Sequence, residues 1–148
     1  MHPIFQNTGV VGTGAMGRGI AQMAAQAGSQ VWLFDVQAGA AQAARDALHA
    51  TWQTLVNKNK MTAEQMQACV DRLQLANAMS DLAPCDLVIE AIVERLDVKQ
   101  KVFAELEGIV APEAVLATNT SSLSVTAIGA ALKRPQRFAG WHFFNPVP

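Results

Sequence analysis

Short apolar runs alternate along the chain with longer segments in which apolar residues recur at helical spacing. The apolar runs predict strands at 8–11, 30–35, 73–76, 86–90, 114–118 and 137–141. The periodic segments predict helices at 16–27, 38–58, 62–73, 97–110 and 125–132. Strands that alternate with helices imply right-handed crossovers and a parallel sheet. We therefore expect an α/β fold with helices on both faces of a parallel sheet.

Two predicted helices, rather than one, join the second and third strands across residues 37–72. In the first of them, Leu48 and Thr51 fall on the predicted apolar stripe, and Thr62 stands where it would cap the second. A two-helix insertion of this kind adds function in some proteins and only packing surface in others. Lys58, near the end of the first helix, is open to two interpretations: a solvated charge or an anion contact.

The composition excludes several functional classes. Of the 148 residues, 51% are hydrophobic and 16% are charged, which excludes a disordered chain. A net charge of -1 without a basic stripe excludes a nucleic-acid-binding protein. No apolar run approaches the ~18 residues of a membrane span, and the N-terminus lacks a signal-peptide pattern. The two cysteines match neither a disulfide framework nor a metal site, so we expect reduced thiols in a cytoplasmic protein.

A glycine-rich stretch comes after the first predicted strand and before the first helix, with the spacing Gly12-x-Gly14-x-x-Gly17. The first glycine permits a tight turn, the second leaves room for a pyrophosphate, and the third lets the helix pack close to the strand. The amide groups of the first helical turn, at Ala15 and Met16, are then available to phosphates. The stretch predicts a Rossmann-type dinucleotide site.

An acidic residue, Asp35, ends the second predicted strand, 18 residues beyond Gly17. At this position a carboxylate accepts hydrogen bonds from the adenosine ribose hydroxyls. It also repels a 2′-phosphate, and the next residues, 36–38, supply no arginine to neutralise one. The sequence therefore predicts NAD rather than NADP. The alternative is a glycine-rich turn with an incidental aspartate.

Further polar residues stand at the exits of the other strands, which meet at one edge of a parallel sheet. His142 comes directly after the last strand, and a histidine that titrates near neutral pH suits the removal of a proton from an alcohol. Ser121 and Asn145 offer a hydroxyl and an amide that can fix a substrate oxygen. Taken singly, residues 119–122 can instead cap the next helix, and His142 can be a hydrogen-bonded residue at a strand end.

Five motifs occur in the order found in the L-3-hydroxyacyl-CoA dehydrogenases, a family that includes 3-hydroxybutyryl-CoA dehydrogenases, and the whole chain resembles it. They are Gly-Thr-Gly-Ala-Met-Gly at 12–17, Val-Ile-Glu-Ala-Ile-Val-Glu at 88–94, Val-Lys-Gln-Lys-Val-Phe at 98–103, Thr-Asn-Thr-Ser-Ser at 118–122 and His-Phe-Phe-Asn-Pro at 142–146. The glycine motif is shared with many dehydrogenases. The last two motifs are much more specific to this family.

The resemblance implies an enzyme that oxidises an L-3-hydroxyacyl-CoA to the 3-ketoacyl-CoA with NAD. Its pathway stays open between fatty acid metabolism by β-oxidation, butanoate metabolism and aromatic degradation. The resemblance also implies that His142 is the catalytic base and that Ser121 and Asn145 contact the substrate oxygen and the nicotinamide. The remaining implied contacts are Glu94, Lys99 and Asn119 for the cofactor, and Thr51 and Lys58 for coenzyme A.

In members of this family the chain continues with a glutamate that orients the histidine, and with an all-helical domain that forms the dimer and closes over the acyl chain. The present sequence stops at Pro148. By resemblance, we expect residues 1–148 to be the NAD-binding domain of a longer, homodimeric enzyme and to be poorly active alone. Two alternatives stay open. One is a β-hydroxyacid dehydrogenase that acts on a small free acid, and the other is a non-catalytic NAD-binding module.

Overall fold

The computed structural model describes residues 5–120 and 123–140, and within them six parallel strands form one sheet. The strands are β1 (Asn7–Val11), β2 (Gln30–Phe34), β3 (Leu73–Leu75), β4 (Leu87–Glu90), β5 (Val115–Thr118) and β6 (Phe138–Gly140). Their order across the sheet is β3-β2-β1-β4-β5-β6. The chain thus winds outward from β1 in one direction and then, from β4, in the other, and the predicted parallel α/β architecture is confirmed.

Five α-helices belong to the described residues: α1 (Ala15–Gln26), α2 (Ala40–Asn57), α3 (Ala63–Arg72), α4 (Leu96–Ile109) and α5 (Val125–Gly129). Both α2 and α3 lie between β2 and β3, as the pattern across residues 37–72 predicts. Short 3₁₀ turns at Met79–Leu82 and Pro135–Arg137 precede β4 and β6. Among the helices of residues 5–120 and 123–140, none is long and apolar enough to cross a membrane.

Two apolar cores hold the helices against the sheet, one on each face. Successive side chains of a strand point to opposite faces, so Val10 enters one core while its neighbour Val11 enters the other. The first core includes side chains from α1, α2 and α3, and the second includes side chains from α4 and α5. Burial on both faces explains why the central strands are almost continuously apolar.

The apolar stripe of α2 differs from the predicted one by a single position. Trp52 is fully buried, whereas Thr51 is exposed and its hydroxyl donates to the carbonyl oxygen of Ala47 at 3.0 Å. The indole can be buried because its N–H donates to the side-chain oxygen of Gln26 at 2.9 Å. The face of α2 that meets the core therefore contains Trp52 and not the predicted Thr51.

Helix α5 ends at Gly129, three residues before the predicted end at 132. The chain turns after Gly129 because residues 133 and 134 form hydrogen bonds with α4 instead of continuing the helix. The backbone amides of Lys133 and Arg134 donate to the carboxylate of Glu107 at 2.8 and 2.6 Å. Leu132 is buried in the second core from this turn rather than from the helix.

Candidate functional site

The turn between β1 and α1 contains two glycines at positions that admit no side chain. Gly12 has a φ of +96°, and a Cβ there would lie 2.6 Å from the carbonyl oxygen of Ala91. A Cβ on Gly17 would lie 1.7 Å from the carbonyl oxygen of Gly12. The first turn of α1 therefore packs directly on the glycine turn, and the glycine turn packs on the residue after β4.

Gly14 is the N-cap of α1, and the space in front of it is open. A Cβ built on Gly14 would meet no atom within 4 Å, and the first turn of α1 contains no acidic side chain. The first amide groups of a helix have no partner within it, and the helix dipole makes this end positive. The amides of Ala15 and Met16 thus stand at an accessible, electropositive helix end that fits a pyrophosphate.

Asp35 lies directly after β2 and is bound to the glycine turn. One carboxylate oxygen accepts hydrogen bonds from the backbone N–H and the hydroxyl of Thr13, both at 2.8 Å, and the other accepts from the N–H of Gln37 at 2.9 Å. Partial burial raises the pKa of Asp35, but these hydrogen bonds outweigh it, so the pKa lies below its ordinary value. An ionised carboxylate has about four acceptor positions, so the three protein donors leave Asp35 able to accept one further hydrogen bond from a ribose hydroxyl.

A buried ion pair lies at the ends of β4 and β5. The ammonium of Lys99 donates to Glu90 Oε2 at 2.5 Å, and both side chains have 0% exposure. Glu90 also accepts from the N–H of Ile92 at 2.7 Å and from the hydroxyl of Thr118 at 2.5 Å. These donors therefore converge on one carboxylate beneath the carboxyl edge of the sheet.

Glu94 stands above this pair, with 38% of its side chain exposed. One of its oxygens lies 3.2 Å from the Lys99 ammonium, and the other accepts from the hydroxyl of Thr120 at 2.7 Å. The same hydroxyl accepts from the N–H of Leu123 at 3.1 Å. The structure thus brings the predicted residues Glu94 and Lys99 together, with Glu94 accessible and Lys99 buried.

The predicted catalytic residues Ser121, His142 and Asn145 lie outside the described residues. Asn119 is described: it comes directly after β5, and its backbone N–H donates to the carbonyl oxygen of Glu90 at 2.9 Å. The alternative in which residues 119–122 cap the next helix is not what the structure has. The N-cap of α5 is Ser124, whose hydroxyl accepts from the N–H of Ala127 at 3.1 Å.

The two predicted coenzyme A contacts lie on the helical hairpin formed by α2 and α3. Thr51 is exposed on α2, and Lys58 is exposed at its C-cap. Seven residues correspond to about two helical turns, so both positions fall on one side of α2. The helix itself packs against α3, α1 and β3. Both side chains are therefore available to a ligand that reaches the hairpin.

Three polar residues of the site, Thr13, Glu90 and Thr118, lie at predicted strand exits, but the sequence alone assigns no role to them. Thr13 lies among the glycines and is only 6% exposed. Glu90 and Thr118 are each the last residue of a buried apolar strand. A polar residue that ends such a strand was the available signal, since it must find a buried partner.

The strand order, the glycine turn and the carboxylate after β2 together define a Rossmann-type dinucleotide-binding domain. A family model described as the NAD binding domain of 3-hydroxyacyl-CoA dehydrogenase matches residues 7–148. The chain belongs to this family, and its cofactor is NAD.

Two relatives match nearly all or all of this chain. The chain is 48% identical over 143 residues to the 3-hydroxyadipyl-CoA dehydrogenase of Escherichia coli strain K12, a match that covers 97% of the chain and 30% of the relative. It is 43% identical over 148 residues to the 3-hydroxybutyryl-CoA dehydrogenase of Bradyrhizobium diazoefficiens, with coverage of 100% and 50%. The chain thus spans half or less of the length of these relatives.

A solved structure shows the same fold. The crystal structure of 3-hydroxybutyryl-CoA dehydrogenase from Escherichia coli K12 superposes with a TM-score of 0.95 at 47% identity. The match covers 97% of this chain and 30% of that chain.

Proposed function

We propose that the complete protein oxidises an L-3-hydroxyacyl-CoA to the 3-ketoacyl-CoA with NAD. The observation that supports this most is the placement of two carboxylates on either side of the glycine turn. Asp35 lies after β2 and Glu94 lies after β4, and these strands flank β1 in the sheet. In a chain of this family, the two sides of the turn correspond to the two halves of a dinucleotide.

Each half has residues suited to hold it. Asp35 accepts a hydrogen bond from the adenosine ribose, and the amides of Ala15 and Met16 bind the pyrophosphate. On the other side, Glu94 binds the second ribose, with Lys99 and Asn119 beneath and beside it. When bound, NAD accepts the hydride that leaves the substrate.

The proposed proton acceptor is His142. A neutral imidazole near the 3-hydroxyl takes its proton as the carbon–hydrogen bond breaks. The Ser121 hydroxyl and the Asn145 amide donate to the substrate oxygen and hold it in line. This assignment is supported by the family and by the motifs at 118–122 and 142–146.

The substrate's coenzyme A group is proposed to lie on the hairpin. Lys58 supplies a positive charge for a phosphate, and Thr51 supplies a hydroxyl two turns away. Both are exposed and therefore accessible to such a ligand.

The proposed whole protein is larger than residues 1–148. Its relatives are two to three times as long, and we assign to the additional part a helical domain that shapes the acyl pocket and forms a homodimer. We place the enzyme in the cytoplasm, a location that the two free, buried cysteines suit.

NADH formation by the complete protein tests the function. We expect turnover of L-3-hydroxybutyryl-CoA and little turnover of free L-3-hydroxybutyrate, because the acid lacks the coenzyme A group. His142→Gln should lower kcat by about 10²–10⁴-fold, the usual contribution of a general base. Faster turnover of the free acid would instead favour a β-hydroxyacid dehydrogenase. NAD binding without turnover of either compound would favour a non-catalytic module.

A further inference from the structure

We infer that Glu90 is a positioning residue for the half of the cofactor site on the β4 side of the glycine turn, and that it acts through Lys99 on Glu94. The inference rests on the proposed function, because it takes Glu94 as the contact for the second ribose. It assigns a role to a residue that is itself inaccessible to any ligand, since its side chain is 0% exposed.

Burial of the Glu90–Lys99 pair calls for an explanation other than folding stability. Removing two charges from water costs free energy that their attraction barely recovers. The pair does provide a fixed position for the ammonium. Glu90 accepts from Lys99, from the N–H of Ile92 and from Thr118, so neither its carboxylate nor the ammonium bound to it has room to rotate.

The fixed ammonium in turn orients Glu94. It lies 3.2 Å from one Glu94 oxygen, and the Thr120 hydroxyl donates to the other at 2.7 Å. An exposed glutamate would ordinarily sample several rotamers. Here both oxygens are bound to groups from α4 and from the segment after β5, so Glu94 presents its carboxylate at the edge of the sheet in one orientation.

Glu90 also links two strands, β4 and β5. Glu90 is opposite Thr118 in the β4–β5 register, and the Thr118 hydroxyl donates to it. The Asn119 N–H donates to the Glu90 carbonyl, and Thr120 then reaches Glu94. Lys99 therefore acts on the cofactor through Glu94 and does not touch it, and Glu90 sets the positions of Lys99 and Glu94.

Because Glu94 lies on one side of β1 and Asp35 on the other, the effect of Glu90 should be confined to half of the ligand. ADP carries the adenosine and the two phosphates, whereas ADP-ribose adds the second ribose. A loss of Glu94 orientation should weaken ADP-ribose and NAD and leave ADP unaffected. A general loosening of the fold should weaken all three.

The test is calorimetric titration of the chain and its Glu90→Gln variant with ADP, ADP-ribose and NAD. Glutamine keeps the size of the side chain and removes the charge that binds Lys99. We expect Kd for ADP-ribose and NAD to rise roughly tenfold, as for residues coupled in one network, with Kd for ADP unchanged. The matched control is Glu107→Gln, which removes the charge of a buried carboxylate on α4 that accepts two backbone N–H groups. It should lower the melting temperature without this selectivity.

A double-mutant cycle separates positioning from structure. In a Glu94→Gln background, Glu90→Gln should have little further effect on NAD, because Glu94 is the group through which it acts. Fully additive losses would overturn the inference, and so would equal losses of ADP and ADP-ribose. If Glu90→Gln does not fold, Thr118→Val replaces it. This variant must raise Kd for ADP-ribose by a smaller factor and leave Kd for ADP unchanged, and equal effects on both ligands would contradict the inference. Failure of the unmodified chain to bind ADP and NAD would instead contradict the proposed function.

Discussion

Gly14 and Gly17 occupy one turn, but a methyl group should affect them in different ways. A Cβ on Gly17 would overlap the Gly12 carbonyl oxygen, whereas one on Gly14 would point into open space. Gly14 has φ of -70° and ψ of -167°, which any residue adopts. Its lack of a side chain therefore serves the approach of a ligand rather than the fold.

We expect Gly17→Ala to destabilise the fold by at least about 1–3 kcal/mol through overpacking. Gly14→Ala should change the stability by less than about 1 kcal/mol, because the entropic gain of about 0.4–1 kcal/mol is offset by the poorer preference of alanine for an N-cap, and it should lose NAD affinity. Urea denaturation and calorimetry measure the two effects. Equal NAD binding by the Gly14→Ala variant and the parent would show that the pyrophosphate does not approach this turn.

The hydrogen bonds of Asp35 predict a pH dependence. Because its pKa is lowered in the folded state, the carboxylate contributes stability that is fully present above the ordinary aspartate pKa of about 3.9. That contribution is lost as the pH falls through the lowered pKa. The difference in unfolding free energy between the parent and Asp35→Asn should thus be largest near neutral pH and shrink in acid. A difference that is constant with pH would contradict the assignment.

At the scale of elements, periodicity predicted each strand and α-helix of the described residues, because apolar spacing directly reports which faces are buried. It failed where a tertiary partner decided the outcome. Helix α5 ends early because Glu107 binds the amides beyond it, and Glu107 is distant in sequence, so no local pattern could reveal this end. Trp52 is different: it lies four residues after Leu48, so helical spacing fits it to the buried face, and the bond to Gln26 allows its indole to be buried there.

The residues of the site also divide into those whose placement the sequence predicts and those whose placement it does not. The positions of Asp35 and Glu94 at strand exits follow from the pattern of strands. The burial of Lys99 does not, since its spacing is that of an ordinary helical lysine. Only the meeting of β4, β5 and α4 places it between Glu90 and Glu94.

The helical hairpin yields a prediction of its own. In the complete protein, Lys58→Ala should raise KM for acyl-CoA by up to roughly fivefold, as expected for the loss of about 0.2–1 kcal/mol from an exposed ion pair. NAD affinity should be unchanged. Lys101→Ala, which removes an exposed lysine from α4, is the matched control. Identical KM values for the two variants would leave Lys58 as a solvated charge.

At the scale of the whole molecule, the sheet order makes the site. Winding outward from β1 in both directions brings the exits of β2, β1, β4 and β5 to one edge. A long ligand can therefore lie across the edge and contact residues far apart in sequence. We therefore expect residues 35 and 94 to contact one ligand.

Catalysis should need more than this domain. We predict that the 148-residue chain binds NAD but turns over L-3-hydroxybutyryl-CoA very poorly, because a base needs an orienting carboxylate and a closed, dry site. In serine proteases, loss of the orienting carboxylate costs about 10⁴-fold. NADH formation by the chain alone should be compared with that of the same chain extended by the C-terminal half of the Bradyrhizobium relative. Rates within about tenfold of each other would contradict the requirement.

Titration of the 148-residue chain with NAD and NADP tests directly whether this site binds NAD. We expect NAD to bind and NADP to bind more weakly, because the proposed role of Asp35 is to accept a hydrogen bond from the adenosine ribose, and its charge would repel a 2′-phosphate. Asp35→Ser should weaken NAD by about 1.5–3 kcal/mol, the value of charge-assisted hydrogen bonds, and should reduce the discrimination. Equal affinity of the unmodified chain for NAD and NADP, or binding of neither, would contradict the assignment of this site to NAD.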